Sequence, residues 1–456
     1  MTTVNRYQIY CQTEAIWVTS WGTVPISTCP NNTGHTVTSN SVSIIDTVSE
    51  STVSYRNSGQ VDGYGRLRVS NPRNLFAFDQ SYQVGSTVKF VNRITGSGSV
   101  TYSGTNNNTT LSCTTNATDS AVFQSRDYFI YQSGTSTLVL FTAVIGAQKT
   151  NCNKYIGYFD DNDGLYFTMN GSTGINIGYR SSVSGSIVNT LVPRSSWNGD
   201  KCDGTGSSGL NLDYSKVGFW YIDFQWQGGG RVRWGFYSNG SPVIMHQIDF
   251  VNTLTVPYLK TPNLPIRFEI DNTGTTASTT SMIAMCVGLS LETLTDPTGL
   301  NHSRFTTNDP TPALNILTPI MSIRMRTTFE SKTTRMKIVF SETGLISTNA
   351  NNVYSYSIIW GGTLTGASWS NQNTTYSCME WDQNATVVTG GVVTKTGLFN
   401  SSNSVIDSSR NYLDFNDYPM GLDVDGANPP IITLAVTRIN GGGSVVYGSM
   451  QWEEIY

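Results

Sequence analysis

Residues 219–237 alternate with a period of two. Trp220, Ile222, Phe224 and Trp226 share one parity, and Tyr221, Asp223 and Gln225 share the other. Gly228-Gly229-Gly230 interrupts the run, after which Val232, Trp234 and Phe236 alternate with Arg231 and Arg233. Successive side chains go to opposite faces only on a pleated strand. The stretch therefore reads as a β-hairpin around a Gly loop, with Trp226 and Trp234 packed into a core and Asp223 and Arg233 on the other face. Asn239-Gly240 turns the chain again and 243–251 makes a third strand. In the fourth, 264–270, Leu264, Ile266, Phe268 and Ile270 alternate with Arg267 and Glu269. Four such strands in succession predict a meander or jelly-roll sheet.

The rest of the chain repeats the pattern. Residues 128–145 read as two strands around Gly134. Strands at 155–159 and 165–169 flank the turn Asp160-Asp161-Asn162-Asp163-Gly164, and 200–209 is a long polar loop. A segment with three prolines, 296–312, reads as an interdomain linker. Beyond it Met321, Ile323 and Met325 alternate with Arg324 and Arg326, and Met336, Ile338 and Phe340 with Arg335 and Lys337. Ile432, Leu434 and Val436, then Met450 and Trp452, close the series. No helix longer than two turns is predicted. Charged residues are 13% of the 456 and aromatics 11%, against ~25% charged in an average domain. The aromatic content argues against disorder, and the low charge against a helical bundle. The fold class is all-β, with β-sandwich or jelly-roll domains at 55–300 and 301–456 behind a small N-terminal β module at 1–54.

The net charge of −4 shows no basic excess of the kind nucleic-acid binders carry, so no nucleic-acid partner is expected. No run reaches the ~18 apolar residues of a membrane-spanning helix. The opening Met-Thr-Thr-Val-Asn-Arg-Tyr-Gln has no basic stretch followed by an apolar one, which reads as no secretory signal. Cys11, Cys29, Cys113, Cys152, Cys202, Cys286 and Cys378 are too scattered for a disulfide framework.

Candidate chemistry is sparse. His35, His246 and His302 are the only histidines, with no metal-ligand spacing and no G-x-S-x-G nearby. Cys11, Cys29 and His35 offer three zinc ligands and no visible fourth. Buried thiols or a Cys11–Cys29 disulfide are the other readings, and no metal or cofactor is expected. Asp160 to Gly164 fails the calcium frame because Phe159 holds its first position, and Asp423 to Gly426 fails because Gly421 does. Both read as solvated turns. The Gly clusters at 228–230 and 441–443 lack the Lys-Ser/Thr of a phosphate loop. Asp223, Arg231, Arg233, Arg267 and Glu269 share strand parity and are expected to form one structural charge ladder. Asp223 with Glu269 is the pair a glycosidase would need, but the arginines argue against a general acid there. Trp197, Trp360 and Trp369 lie near polar or Gly-rich segments and are candidates for stacking on sugar rings.

Several runs resemble one family. They include Gly65-Arg66-Leu67-Arg68-Val69-Ser70-Asn71-Pro72 and Arg194-Ser195-Ser196-Trp197-Asn198-Gly199-Asp200. Ile222-Asp223-Phe224-Gln225-Trp226 and Gly230-Arg231-Val232-Arg233-Trp234-Gly235-Phe236 belong with them, as do Thr261 to Ile270, Leu364 to Trp369 and Met450-Gln451-Trp452-Glu453. Together these resemble virion structural proteins of tailed phages of cyanobacteria and other marine bacteria, also found in large algal viruses. The stretch from Val4 to His35, with Cys29-Pro30-Asn31-Asn32, resembles a short module seen on such proteins. The resemblance implies a non-enzymatic component on the exterior of a viral particle (head, tail, baseplate or fibre). It would be made in the host cytoplasm and would assemble as a homo-oligomer with other virion proteins. The alternative is an adhesin that binds host surface glycans; a polysaccharide depolymerase ranks below both.

Overall fold

The computed structural model describes residues 3–22, 24, 26–37, 43–49, 72–293, 298–348, 352–400, 405–408 and 419–456. The chain forms two compact units, Met1–Asn57 and Ser58–Tyr456. Two of the stretches read above lie outside the described residues: most of the 65–72 run, and the start of the proposed linker at Asp296 and Pro297.

The first unit is a three-stranded antiparallel sheet. Its middle strand β1 (Thr3–Cys11) pairs with β2 (Ile16–Gly22) and β3 (Ser43–Ser49). Among the described residues Ile9, Cys11, Val18 and Cys29 form a buried cluster, with Ile26 and Val37 against it.

The second unit holds two sandwiches. In the first, the seven-stranded sheet runs β13 (Val188–Pro193), β12 (Gly174–Ser181), β11 (Gly164–Asn170), β10 (Cys152–Phe159), β17 (Ile266–Asn272), β8 (Ser120–Ser125), β5 (Phe90–Thr95). The eight-stranded sheet runs β16 (Ser241–Asp249), β15 (Arg231–Ser238), β14 (Gly218–Phe224), β9 (Thr137–Val144), β18 (Thr280–Leu291), β7 (Asn108–Cys113), β6 (Ser99–Ser103). Strand β4 (Arg73–Phe78) also pairs with β18, and α1 (Gln83–Lys89) follows it. Trp220, Ile222, Phe224, Val232 and Trp234 of one sheet meet Ile156, Phe167, Ile177 and Phe268 of the other in a single core.

The second sandwich stacks a four-stranded sheet, β19 (Leu300–Phe305), β32 (Val446–Ile455), β23 (Lys337–Ser347) and β30 (Val405–Ser408), with a six-stranded one. The latter runs β26 (Ser370–Asn371), β27 (Met379–Asp382), β20 (Thr318–Met325), β31 (Ile431–Asn440), β24 (Val353–Trp360), β29 (Val392–Asn400). Two small hairpins, β21 (Thr328–Phe329) with β22 (Lys332–Thr333) and β25 (Thr363–Thr365) with β28 (Val387–Thr389), lie beside them. Ile320, Ile323, Leu434, Met450 and Trp452 fill this core.

The parity of the central hairpin is as expected: Trp234 is fully buried, and Asp223 faces Arg233 across the β14–β15 register. Four expectations need correction. The strand at 264–270 does not continue the meander. The segment after β16 crosses the end of the sandwich, burying Tyr258 and Leu259, and delivers β17 to the opposite sheet. Residues 128–145 give one strand, β9; Phe129 before it forms only an isolated bridge to Leu264. The 296–312 segment is no free linker, because β19 within it is hydrogen-bonded along the edge of β32. Trp226 lies beyond β14, partly buried, with its indole N–H donating to the Leu259 carbonyl.

The single charge ladder is also corrected. Asp223 and Arg233 sit in the eight-stranded sheet, Arg267 and Glu269 in the seven-stranded one, so two separate clusters replace one ladder. Nor is the first cluster exposed. Asp223 and Arg233 retain 2% and 1% of their surface, and Ser136 donates to Asp223 Oδ1 at 3.0 Å. Removing one member of a buried ion pair leaves an uncompensated charge and costs about 3–5 kcal/mol. Truncating a buried Trp costs about the same. Urea denaturation of Asp223→Asn and Trp234→Ala is expected to show comparable losses of about 3–5 kcal/mol. An Asp223→Asn protein as stable as its parent would overturn the account of the pair.

Candidate functional site

The strand that changed sheets carries the most distinctive chemistry. By burying Ile266, Phe268 and Ile270, β17 sends Arg267, Glu269 and Asp271 to the outer face of the seven-stranded sheet. The register with β10 sets Glu269 beside Tyr155 and Asp271 beside Asn153. Thr168 of β11 stands across from Tyr155 on its other side, and Asn176 of β12 lies beyond it.

The floor of this face is aromatic. Tyr155 meets Tyr166 edge-on at 5.5 Å between ring centres, and Phe159 lies 5.3 Å from Tyr166. Tyr166 is pinned between two glycines of the flanking strands. A Cβ on Gly157 would stand 2.7 Å from the Tyr166 Cβ, and one on Gly178 would stand 2.6 Å from its ring. Any larger residue at either position would push the tyrosine off the sheet. The Tyr166 hydroxyl bonds Asn189 Oδ1 at 3.0 Å, which also accepts from Arg180 Nε at 2.9 Å. The Arg180 and Arg267 guanidinium groups lie 5.6 and 5.3 Å from the Phe159 ring centre, within cation–π range.

Charge is arranged along the face. Asp161 forms a bidentate pair with Arg93 at 2.7 and 2.8 Å and reaches Arg267 at 2.7 Å. Burial alone would push its carboxyl up, but the two arginines outweigh that and hold it well below the usual carboxylate range. Arg267 Nε reaches Glu269 Oε2 at 2.8 Å. Asp271 has no such cation close by. Burial, and then the Glu269 charge, push its carboxyl up to about 7; Asn153 and Arg180 oppose this only in part. Burial likewise pushes the Tyr166 hydroxyl up to about 12. The Thr168 hydroxyl is buried and has no hydrogen-bond partner among the described residues. Tyr155, Asn153, Glu269 and Asp271 remain partly exposed.

The turn Asp160–Gly164 that leads from β10 to β11 is no solvated loop, as the sequence suggested. Asp160 Oδ1 accepts from the backbone of Asn162 and Asp163, and Asp163 accepts from Ser182 and Lys260. Its buried carboxylates are thus held by protein donors. Asp160 and Asp163 also line a groove of about 1000 Å³, shared with Tyr128, Lys260, Arg335 and Tyr456.

The tryptophans nominated for stacking do not form a platform. Trp197 is buried, at 4% exposure, with its indole N–H donating to the Val192 carbonyl. Trp360 is half-buried and bonded to the Pro419 carbonyl. Trp369 lies under the Arg324 guanidinium at 4.0 Å. Polar neighbours in sequence misled here, because the groups that meet these rings, at Val192, Pro419 and Arg324, are not the residues adjacent to them in the chain. Asp223 and Glu269, the suggested carboxylate pair, lie in different sheets. Sequence reasoning missed Asp271 and Tyr155, although Asp271 continues the parity of Arg267 and Glu269. His246 is a structural strand histidine: its Nδ1 accepts from the Asn198 N–H, and burial lowers its pKa. In the N-terminal unit, Cys11, Cys29 and His35 do converge, and the fourth group that the sequence seemed to lack is Glu14.

No protein-family model and no curated protein matches the chain. Among solved structures it is similar to a beta-1,3-glucanase from Mycobacterium marinum, at 13% identity and a TM-score of 0.33, over 48% of this chain and all of that one. It is also similar to a legume lectin-like domain from Entamoeba histolytica, at 8% identity and a TM-score of 0.30, over 48% of this chain and 98% of that one. A third is lectin UEA-II complexed with galactose, at 11% identity and a TM-score of 0.30, covering 48% and 99%. Likeness at this level does not carry to this chain what those proteins bind or do.

Asp271 makes stability depend on pH. Its folded carboxyl holds a proton more tightly than an unfolded one, so it destabilises the fold increasingly as pH rises from about 4 to about 7 and adds nothing below that window. Asp271→Asn is expected to raise the thermal midpoint relative to the parent at pH 8 and not at pH 4. A difference independent of pH would remove this assignment.

Proposed function

We propose that the outer face of the seven-stranded sheet binds a saccharide. The observation that supports this is the row Asn153, Tyr155, Glu269 and Asp271, which stays partly exposed beside the fully buried Phe159, Tyr166 and Thr168. Sugar rings offer vicinal hydroxyls, which carboxylates and amides take up in pairs, and C–H faces, which pack on aromatic rings. The mixture of amide, hydroxyl, carboxylate and ring fits that ligand better than a purely ionic or apolar one.

The reading is of binding without turnover, since Glu269 is tied to Arg267. A glycan array followed by calorimetry on the best ligand tests it. Measured at pH 8, where the carboxyl is ionised, Asp271→Asn removes a charged acceptor and should weaken binding by about 10–100-fold. Tyr155→Ala should weaken it by about tenfold, and Trp369→Ala should leave it unchanged. Binding that survives both sheet-face substitutions would remove the site. Release of reducing ends from the ligand, abolished by Glu269→Gln and by Asp271→Asn, would make the protein a glycosidase instead.

The setting proposed for this site is the exterior of a viral particle, and its support is the set of family-like sequence runs. Two of them, Ile222 to Trp226 and Gly230 to Phe236, coincide with the hairpin that fills the first core. Mass spectrometry of purified particles would test the setting, and absence of the chain from them would remove it.

A further inference from the structure

We propose that the N-terminal unit is a zinc site built by Cys11, Cys29, Glu14 and His35. These residues come from two places in the chain. Cys11 ends β1 and Glu14 lies in the following turn; Cys29 and His35 flank the loop that runs back toward β1. Backbone bonds hold the two places together: Gln12 N–H donates to the Thr36 carbonyl, and Cys11 forms an isolated bridge with Val37.

The four ligand atoms all lie within 4.8 Å of one another. Cys11 Sγ is 3.7 Å from His35 Nδ1, and His35 Nδ1 is 3.2 Å from Glu14 Oε1. A tetrahedral zinc with bonds of about 2.0–2.3 Å sets its donors roughly 3.3–3.8 Å apart, so these separations need little adjustment. Two sulfurs, one imidazole nitrogen and one carboxylate oxygen form a donor set that favours zinc over calcium or magnesium, which take oxygens. Both sulfurs are buried and unbridged, while Glu14 and His35 are only partly covered. The second Glu14 oxygen accepts from Asn31 Nδ2 at 2.8 Å, the kind of outer contact that orients a metal-binding carboxylate.

The size of the unit supplies an independent reason. Among the described residues the cluster beneath β1 is Ile9, Cys11, Val18 and Cys29, so the two cysteines belong to its apolar packing. A unit this small seldom buries enough apolar surface to hold itself together, and a structural metal is one of the standard remedies. Binding zinc releases the thiol protons and ties the 29–37 loop to the end of β1, so metal affinity becomes folding stability.

The test uses the full chain purified under reducing conditions. Elemental mass spectrometry should find one zinc per chain. Cobalt(II) put in its place should show tetrahedral ligand-field bands and a thiolate-to-cobalt charge-transfer band. Cys11→Ser and Cys29→Ser should each lose that charge-transfer intensity in part, and the double variant altogether. Glu14→Gln, which preserves shape, should keep the thiolate band while weakening zinc by about tenfold or more. If the cysteine variants do not fold, titration of zinc into the reduced, metal-stripped parent still decides the matter. Failure of that parent to take up zinc would overturn the proposal. So would a Cys11–Cys29 disulfide in the folded protein, or unchanged zinc content in the double cysteine variant.

Discussion

Strand β17 cannot bury Ile266, Phe268 and Ile270 without presenting Arg267, Glu269 and Asp271 on the other face. That single parity ties the core to the candidate site. The strand lies between β10 and β8 near the middle of its sheet, so its outward residues have neighbours on both sides. Tyr155 and Asn153 come from β10, Gln124 and Val122 from β8. A one-residue slip of β17 would put three charges into the first core and three large apolar side chains on the outer face, which fixes the register strongly. The geometry of Glu269 and Asp271 is therefore as well determined as the core itself.

Few charges are present, and some of the buried ones are paired while others, such as Asp119 and Asp382, are held by hydrogen bonds. Asp223 with Arg233, and Asp161 with Arg93 and Arg267, take up charge that would be costly to bury alone. Asp271 departs from this. It is pushed toward the neutral form by burial and by Glu269, and it lacks the close cation that Asp161 has. A carboxyl raised to about 7 on a partly exposed sheet face is the kind of perturbed group that marks a candidate site. The pinned Tyr166 reinforces the contrast, since two glycines fix its ring next to the partly exposed Tyr155.

Period-two alternation made the strands legible but not their partners. It placed Trp220, Trp234, Phe268 and Trp452 in cores, because parity is a local property of the backbone. It could not tell that β17 leaves the meander, since that depends on where the buried Tyr258 and Leu259 take the chain. Reading one charge ladder from shared parity failed for the same reason: equal parity in different sheets creates no contact. Trp197 looked exposed because its sequence neighbours are polar, yet its ring is part of the first core and its indole N–H bonds Val192. Asp271 was legible in principle, as the next residue of the same parity after Glu269.

The two units solve the problem of stability differently. In Ser58–Tyr456, stacked sheets bury many Phe and Ile side chains and four Trp, and apolar packing carries the fold. In Met1–Asn57 the two cysteines share one apolar cluster with Ile9 and Val18 among the described residues, and the loop bearing Cys29 and His35 has few apolar side chains to anchor it. Sequence spacing hid the arrangement there because the four donors follow no regular pattern. Only the pairing of β1 with the returning loop makes Glu14 a neighbour of His35. In a unit of this length, directional contacts between a few strong ligands would add order that apolar packing need not supply, and the side chains that could make them converge there.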